Sequence, residues 1–135
     1  VRRAHGKQKV LVIDDDELIR EVVKAALNHS DFEAVTLESP KQAEETIRKS
    51  KPDLILMDLY MPELNGLELL RRLKKEPSTA RIPVIILTGS LEREDVLGGQ
   101  KEGVYEYVTK PVDNRVLIAK IRDVLKLQER KDDAR

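Results

Sequence analysis

Short, compact apolar runs recur along this chain at intervals that leave room for a helix between them, and no other feature narrows its fold as much. The runs are KVLVI (9–13), DLILM (53–57) and PVIIL (83–87), with YEYVT (105–109) weaker. Each is too short for a buried helix and most are dense in Val, Ile and Leu, so each reads as a strand covered on both faces. EAVTLE (33–38) alternates instead, with Val35 and Leu37 on one side and Thr36 on the other, the pattern of an edge strand.

The intervals carry a helical period. Leu18, Ile19, Val22, Val23, Ala26 and Leu27 form one apolar stripe, and Asp16 stands ahead of it as a first-turn or capping acid. In SPKQAEETIRK, Ser39 reads as an N-cap, Pro40 as the first helical residue and Gln42 as the partner in a capping box. Leu67, Leu70 and Leu73 mark a third helix. LEREDVLGGQKEG (91–103) is a fourth, weakened by Gly98 and Gly99, which suggest a loosened helix. Leu117, Ile121, Val124 and Leu125 give a fifth, and QERKDDAR (128–135) reads as a polar, frayed end. Strands alternating with helices imply a parallel sheet with right-handed crossovers. The expectation is an α/β fold: a five-stranded, doubly wound parallel sheet of order 2-1-3-4-5, flavodoxin-like, a (βα)5 three-layer sandwich. Residues 1–8 would be an N-terminal tail, 9–127 one domain, and 128–135 a C-terminal tail or the start of a linker.

Composition sets the outer limits. At 135 residues, one domain suffices and needs no disulfide or structural metal to fold. No cysteine is present, which rules out thiolate chemistry and fits a cytoplasmic chain. Lys plus Arg equals Asp plus Glu at 25 each, which gives no basic footprint for direct nucleic-acid binding. No apolar run approaches the ~20 residues of a membrane helix. Since the first residue is valine, the natural ends of the chain stay open.

In such sheets ligands bind beyond the carboxyl ends of the strands. There stand Asp14 and Asp15 after strand 1, Asp58 after strand 3, Thr88 at strand 4, and Lys110–Pro111 after strand 5. With strands 1 and 3 adjacent, three carboxylates converge. At ~4 Å each like-charge pair costs about 4 kcal/mol at an effective dielectric near 20, so a proton or a cation must join them. Oxygen donors alone favour Mg²⁺, Mn²⁺ or Ca²⁺ over zinc, and a rigid edge with room for water favours Mg²⁺.

VLVIDDDE, PDLILMDLYMPELNGLELL, PVIILTG and YVTKPV, taken in this order, resemble the receiver domain of two-component response regulators, over about residues 8 to 127. The resemblance, nearest to the single-domain chemotaxis regulator, implies that Asp58 takes a phosphoryl group from a phosphohistidine on a sensor histidine kinase or histidine phosphotransfer protein. It implies Mg²⁺, with Mn²⁺ as a substitute, on Asp15, Asp58 and the Tyr60 backbone carbonyl, and on Asp14 through water. Thr88 and Lys110 would bind the phosphoryl oxygens, and Lys110–Pro111 would be a cis peptide. Pro62 and Gly66 match the loop that shapes the site. Tyr107 occupies the switch position, its ring moving inward as Thr88 shifts and altering the face of helix 4, strand 5 and helix 5. Such domains catalyse only their own phosphorylation and slow dephosphorylation.

Two other functions compete. A haloacid-dehalogenase-like phosphatase would use Asp14 as nucleophile with Asp16 beside it, but Leu18 stands where that family has Thr or Val. A pseudo-receiver would act as a docking module without phosphorylation. His5 and His29 are poorly placed as phosphodonors. GVYEYVTKP puts Tyr105 where dimerising relatives carry an acid, so a phosphorylation-dependent dimer is left open, with Lys120 and Arg122 able to pair across it. The output domain or target is not legible, and a free-standing messenger and a piece of a longer regulator are both compatible.

Overall fold

A computed structural model describes residues 6–61, 65–89 and 103–133. Its sheet has five parallel strands: β1 (Lys9–Ile13), β2 (Glu33–Leu37), β3 (Leu54–Met57), β4 (Val84–Thr88) and β5 (Glu106–Thr109). Their order is β2-β1-β3-β4-β5, as expected. The helices are α1 (Glu17–His29), α2 (Ala43–Ser50), α3 (Gly66–Lys75) and α4 (Asn114–Asp133). Helix α4 is the fifth pattern of the sequence; the fourth pattern, with Gly98 and Gly99, lies outside the described residues, as do Pro62 and His5.

The apolar runs are strands because both faces of the sheet are covered. Val10 and Val12 join Val23 and Leu27 of α1 and Leu117, Ile121 and Val124 of α4 in one cluster. Leu11 and Ile13 join Ile47 of α2 and Leu69, Leu70 and Leu73 of α3 in the other. Each such side chain, fully removed from water, contributes roughly 1.5–3 kcal/mol. At the β2 edge, burial is only partial, which is why its sequence alternates.

Local signals resolve as three refinements. Ser39 Oγ accepts from the Lys41 N–H, yet the residues it caps, Pro40–Gln42, form a 3₁₀ turn, and α2 begins at Ala43 without a side-chain cap from Gln42. The apolar stripe of α1 is wider than the face it buries: Leu18 is 69% exposed and Val22 37%. The C-terminal segment continues as helix to Asp133, because Gln128 is buried and accepts a hydrogen bond from the Tyr105 hydroxyl at 2.9 Å.

Candidate functional site

Strand register carries the acid cluster. Ile13 is paired with Met57, so Asp14 and Asp58 are the next residues of neighbouring strands. The ladder continues into them: Asp58 N–H donates to the Ile13 carbonyl at 3.0 Å and Asp14 N–H to that of Leu37 at 3.1 Å. Thr88 is paired with Thr109, and Lys110 N–H donates to the Thr88 carbonyl at 2.9 Å. Backbone hydrogen bonds of the sheet thus position these residues, and no flexible loop intervenes.

At this edge the Lys110 ammonium lies 2.9 Å from Asp14 Oδ2 and 3.0 Å from Asp58 Oδ2. Asp58 Oδ1 accepts from the Tyr60 N–H at 3.2 Å, and Asp14 Oδ1 from the Asp16 N–H at 2.9 Å. Asp14 is fully buried and Asp58 nearly so, whereas Asp15 is exposed. One carboxylate oxygen from each of the three lies within 4.8 Å of the others. The Lys110–Pro111 peptide bond is cis.

Electrostatics show a site short of positive charge. Burial pushes the Asp14 carboxyl above its ordinary value, and the Asp58 charge adds to this, against the Lys110 ammonium and the Asp16 N–H. For Lys110, burial alone would lower the pKa; the facing carboxylates of Asp14 and Asp58 outweigh it and hold the ammonium above its ordinary value. One lysine serves two buried carboxylates. Asp14 Oδ2 meets that ammonium as an ion pair off the hydrogen-bonding axis and accepts no hydrogen bond among the described residues. An oxygen-only donor set with an incompletely satisfied buried carboxylate fits a hard divalent cation with bound water.

The remaining expected residues stand on β4, on β5 and just after β3. Thr88 is buried at the end of β4. Tyr60 is half exposed two residues beyond Asp58. Tyr107 is half-buried and packs against the cluster covered by α2 and α3. Its carbonyl accepts from Lys120 Nζ at 2.7 Å, and Glu106 lies 3.6 Å from the same ammonium. Arg122 donates to the Ser30 carbonyl at 3.3 Å and stands 5.9 Å over the Phe32 ring. Lys120 and Arg122, expected to be available for pairing across a dimer, are therefore both engaged within the chain.

Gly66 closes the site from below: its N–H donates to the Leu59 carbonyl at 2.8 Å, and a Cβ there would meet the Asp58 carbonyl oxygen at 2.7 Å. Asp16 is the N-cap of α1, its carboxylate accepting from the Leu18 and Ile19 N–H groups, which removes it as a catalytic partner of Asp14. With Asp14 buried and Asp16 engaged as a cap, the phosphatase reading loses its site. Sequence reasoning missed Arg20, whose guanidinium donates to the Asp14 carbonyl at 2.6 Å.

Residues 10–122 match the response regulator receiver domain family. The phosphate regulon transcriptional regulatory protein PhoB of Pseudomonas aeruginosa is 39% identical over 117 residues, which are 87% of this chain and 51% of that protein. The transcriptional regulatory protein CseB of Streptomyces coelicolor is 38% identical, over 87% of this chain and 49% of its own length. The chain thus spans about half the length of these relatives. Among solved structures, the CheY-like receiver domain protein of Methanospirillum hungatei superposes with a TM-score of 0.87 at 27% identity, covering 93% of this chain and 99% of that one. The chemotaxis protein CheY4 of Vibrio cholerae gives 0.84 at 25% identity, covering 88% and 99%.

Proposed function

The chain belongs to the response regulator receiver domain family of two-component signalling, and from that premise we propose that Asp58 is its phosphoacceptor. The observation that carries this reading is the bridge from Lys110 Nζ to Asp14 and Asp58 at 2.9 and 3.0 Å, beside an exposed Asp15. Asp58 differs from Asp14, which is similarly placed, in that it is not fully buried and its Oδ2 accepts a hydrogen bond from the Lys110 ammonium.

The donor is a phosphohistidine on a sensor histidine kinase or a histidine phosphotransfer protein. Its P–N bond breaks as a P–O bond forms to an Asp58 oxygen, and the imidazole leaves. Such a transfer depends on in-line placement and charge neutralisation more than on covalent assistance. Mg²⁺, or Mn²⁺ in its place, held by Asp15, Asp58 and the Tyr60 carbonyl and through water by Asp14, would supply most of the neutralising charge. Lys110 follows the phosphoryl group, exchanging carboxylate contacts for a phosphoryl oxygen. The Thr88 hydroxyl donates to another oxygen, and Tyr107 moves further into the core behind it. Only contacts stronger in the shifted state move the population. The chain thereby promotes its own phosphorylation and, more slowly, hydrolysis of the product.

The test is phosphoryl uptake from acetyl phosphate and from a phosphorylated histidine protein in the presence of Mg²⁺, with the modified residue located by mass spectrometry. Label on the peptide holding Asp58, lost in Asp58→Asn, is the expected result. Label on Asp14 would restore the phosphatase alternative, and no label from either donor would leave a docking module.

A further inference from the structure

Among the three acids, Asp15 has the least support. Asp14 is tied through its N–H to Leu37 and through Oδ1 to Asp16, and Asp58 through its N–H to Ile13 and through its carboxylate to Tyr60 and Lys110. The Asp15 carboxylate is exposed and has no hydrogen bond or ion pair to a described residue, yet it lies within 4.8 Å of two like charges. Repulsion alone would swing it into water, so its backbone must hold it.

That backbone is held from α1. Arg20 NH1 donates to the Asp14 carbonyl at 2.6 Å, and that carbonyl belongs to the peptide plane from which Asp15 departs. Arg20 is itself fixed by the first turn of α1, its N–H donating to the Asp16 carbonyl at 3.1 Å, and Asp16 caps the same turn. Both sides of Asp14 are therefore pinned, the N–H by β2 and the carbonyl by α1. The planar guanidinium donates along a fixed direction, which a lysine ammonium does not. On its other side Arg20 borders a polar hollow of about 460 Å³ with Thr36, Ser39, Lys41 and Gln42. A small solute can reach the place of the guanidinium from there.

We infer that Arg20 is a positioning residue of the cation site: by holding the Asp14–Asp15 peptide plane, it keeps Asp15 turned toward Asp14 and Asp58 and so prepares the three oxygens for a divalent ion. The inference rests on the reading of this cluster as a Mg²⁺ site. Partners one step removed from a metal typically govern affinity by ~10–100-fold.

The experiment titrates the metal alone. Mg²⁺ binding is measured by calorimetry on the full chain for the wild type, Arg20→Ala, Arg20→Lys and Arg20→Gln, with unfolding followed in EDTA. The expectation is Mg²⁺ binding about tenfold weaker in Arg20→Ala with a metal-free unfolding midpoint close to that of the wild type. Arg20→Lys should recover only a small part, and ethylguanidinium added to Arg20→Ala should restore affinity where equal sodium chloride does not. Unchanged affinity in a folded Arg20→Ala overturns the role. So does a loss that Arg20→Lys recovers in full, since the fixed direction of the guanidinium would then not be what holds the peptide plane. If Arg20→Ala does not fold, Arg20→Gln decides by the same criteria. Wild type that binds no Mg²⁺ defeats the reading of the site, whereas wild type that binds Mg²⁺ but takes no beryllofluoride at Asp58 defeats the phosphoacceptor and leaves Arg20 in place.

Discussion

Asp14 carries a charge that burial resists, and this has a measurable consequence without metal. Its pKa in the fold lies above the unfolded value of 3.8. Between those two values the native state binds more protons, so its contribution to stability is full below pH 3.8 and is lost as pH rises through the folded value. Asp14→Asn removes the penalty. In EDTA at neutral pH the variant should be the more stable, and its advantage should vanish on acidification. Parallel urea titrations of both proteins from pH 3 to 7 check this; a variant less stable at neutral pH would show that the Lys110 ion pair outweighs the desolvation of Asp14. Tyr60 poses a second question at this scale. Tyr60, two residues beyond Asp58, is half exposed, and on the proposed reading its ring would keep water from an acyl phosphate. Tyr60→Ala should shorten the phosphorylated half-life severalfold, read by loss of label after donor removal, and an unchanged half-life would remove the ring from the account. Asp14, Asp58 and Lys110 were legible because each directly follows an apolar run. Arg20 was not, since on a helical wheel it is one more polar residue of α1, and only the fold turns its side chain back to the strand end.

Elements were legible in proportion to how far burial alone decides them. Strands β1, β3 and β4 are enclosed on both faces, which leaves Val, Ile, Leu and Met as the tolerable residues and writes the strand directly into the sequence. Ends are different. The 3₁₀ turn before α2 and the continuation of α4 past residue 127 depend on tertiary contacts such as Tyr105 to Gln128, which no local pattern contains. Helix α3 joins element to site. Asn65 caps it by accepting from the Leu67 N–H at 2.8 Å, and Gly66 lets its first turn lie against the Asp58–Leu59 backbone. A Cβ at residue 66 would sit 2.7 Å from the Asp58 carbonyl oxygen, in the backbone that directly follows β3. Gly66→Ala must therefore move α3 or the residue that follows β3. The expected cost is ~1–3 kcal/mol in unfolding free energy, as for overpacked cores. Phosphoryl uptake should slow as well, because Asp58 shifts relative to Lys110. Wild-type stability and uptake rate together would show that α3 yields without disturbing the strand.

Across the whole molecule, equal numbers of acids and bases conceal a separation that follows from topology. Parallel strands joined by right-handed crossovers bring the N-terminus of each described helix to the edge that holds Asp14, Asp15 and Asp58, and its C-terminus to the opposite edge. Helix dipoles favour acids at the first edge and bases at the second. Accordingly Asp16 and Glu17 begin α1, whereas Arg48 and Lys49 end α2 and Arg72, Lys74 and Lys75 end α3. A five-residue strand spans about 17 Å, which exceeds the screening length of ~10 Å at 0.1 M salt. The far bases should therefore be invisible to the cation site at physiological salt and visible when salt is scarce. Lys75→Glu, on the exposed end of α3, tests this. Its Mg²⁺ affinity should lie within about twofold of wild type at 0.15 M salt, and the difference should widen at 0.01 M, where screening reaches ~30 Å. The widening should favour the variant, because a negative charge added anywhere within range draws the cation. An effect of equal size at both salt concentrations would mean that Lys75 acts through α3 and the Gly66 contact, and the charge separation would then be a by-product of helix capping with no bearing on the site.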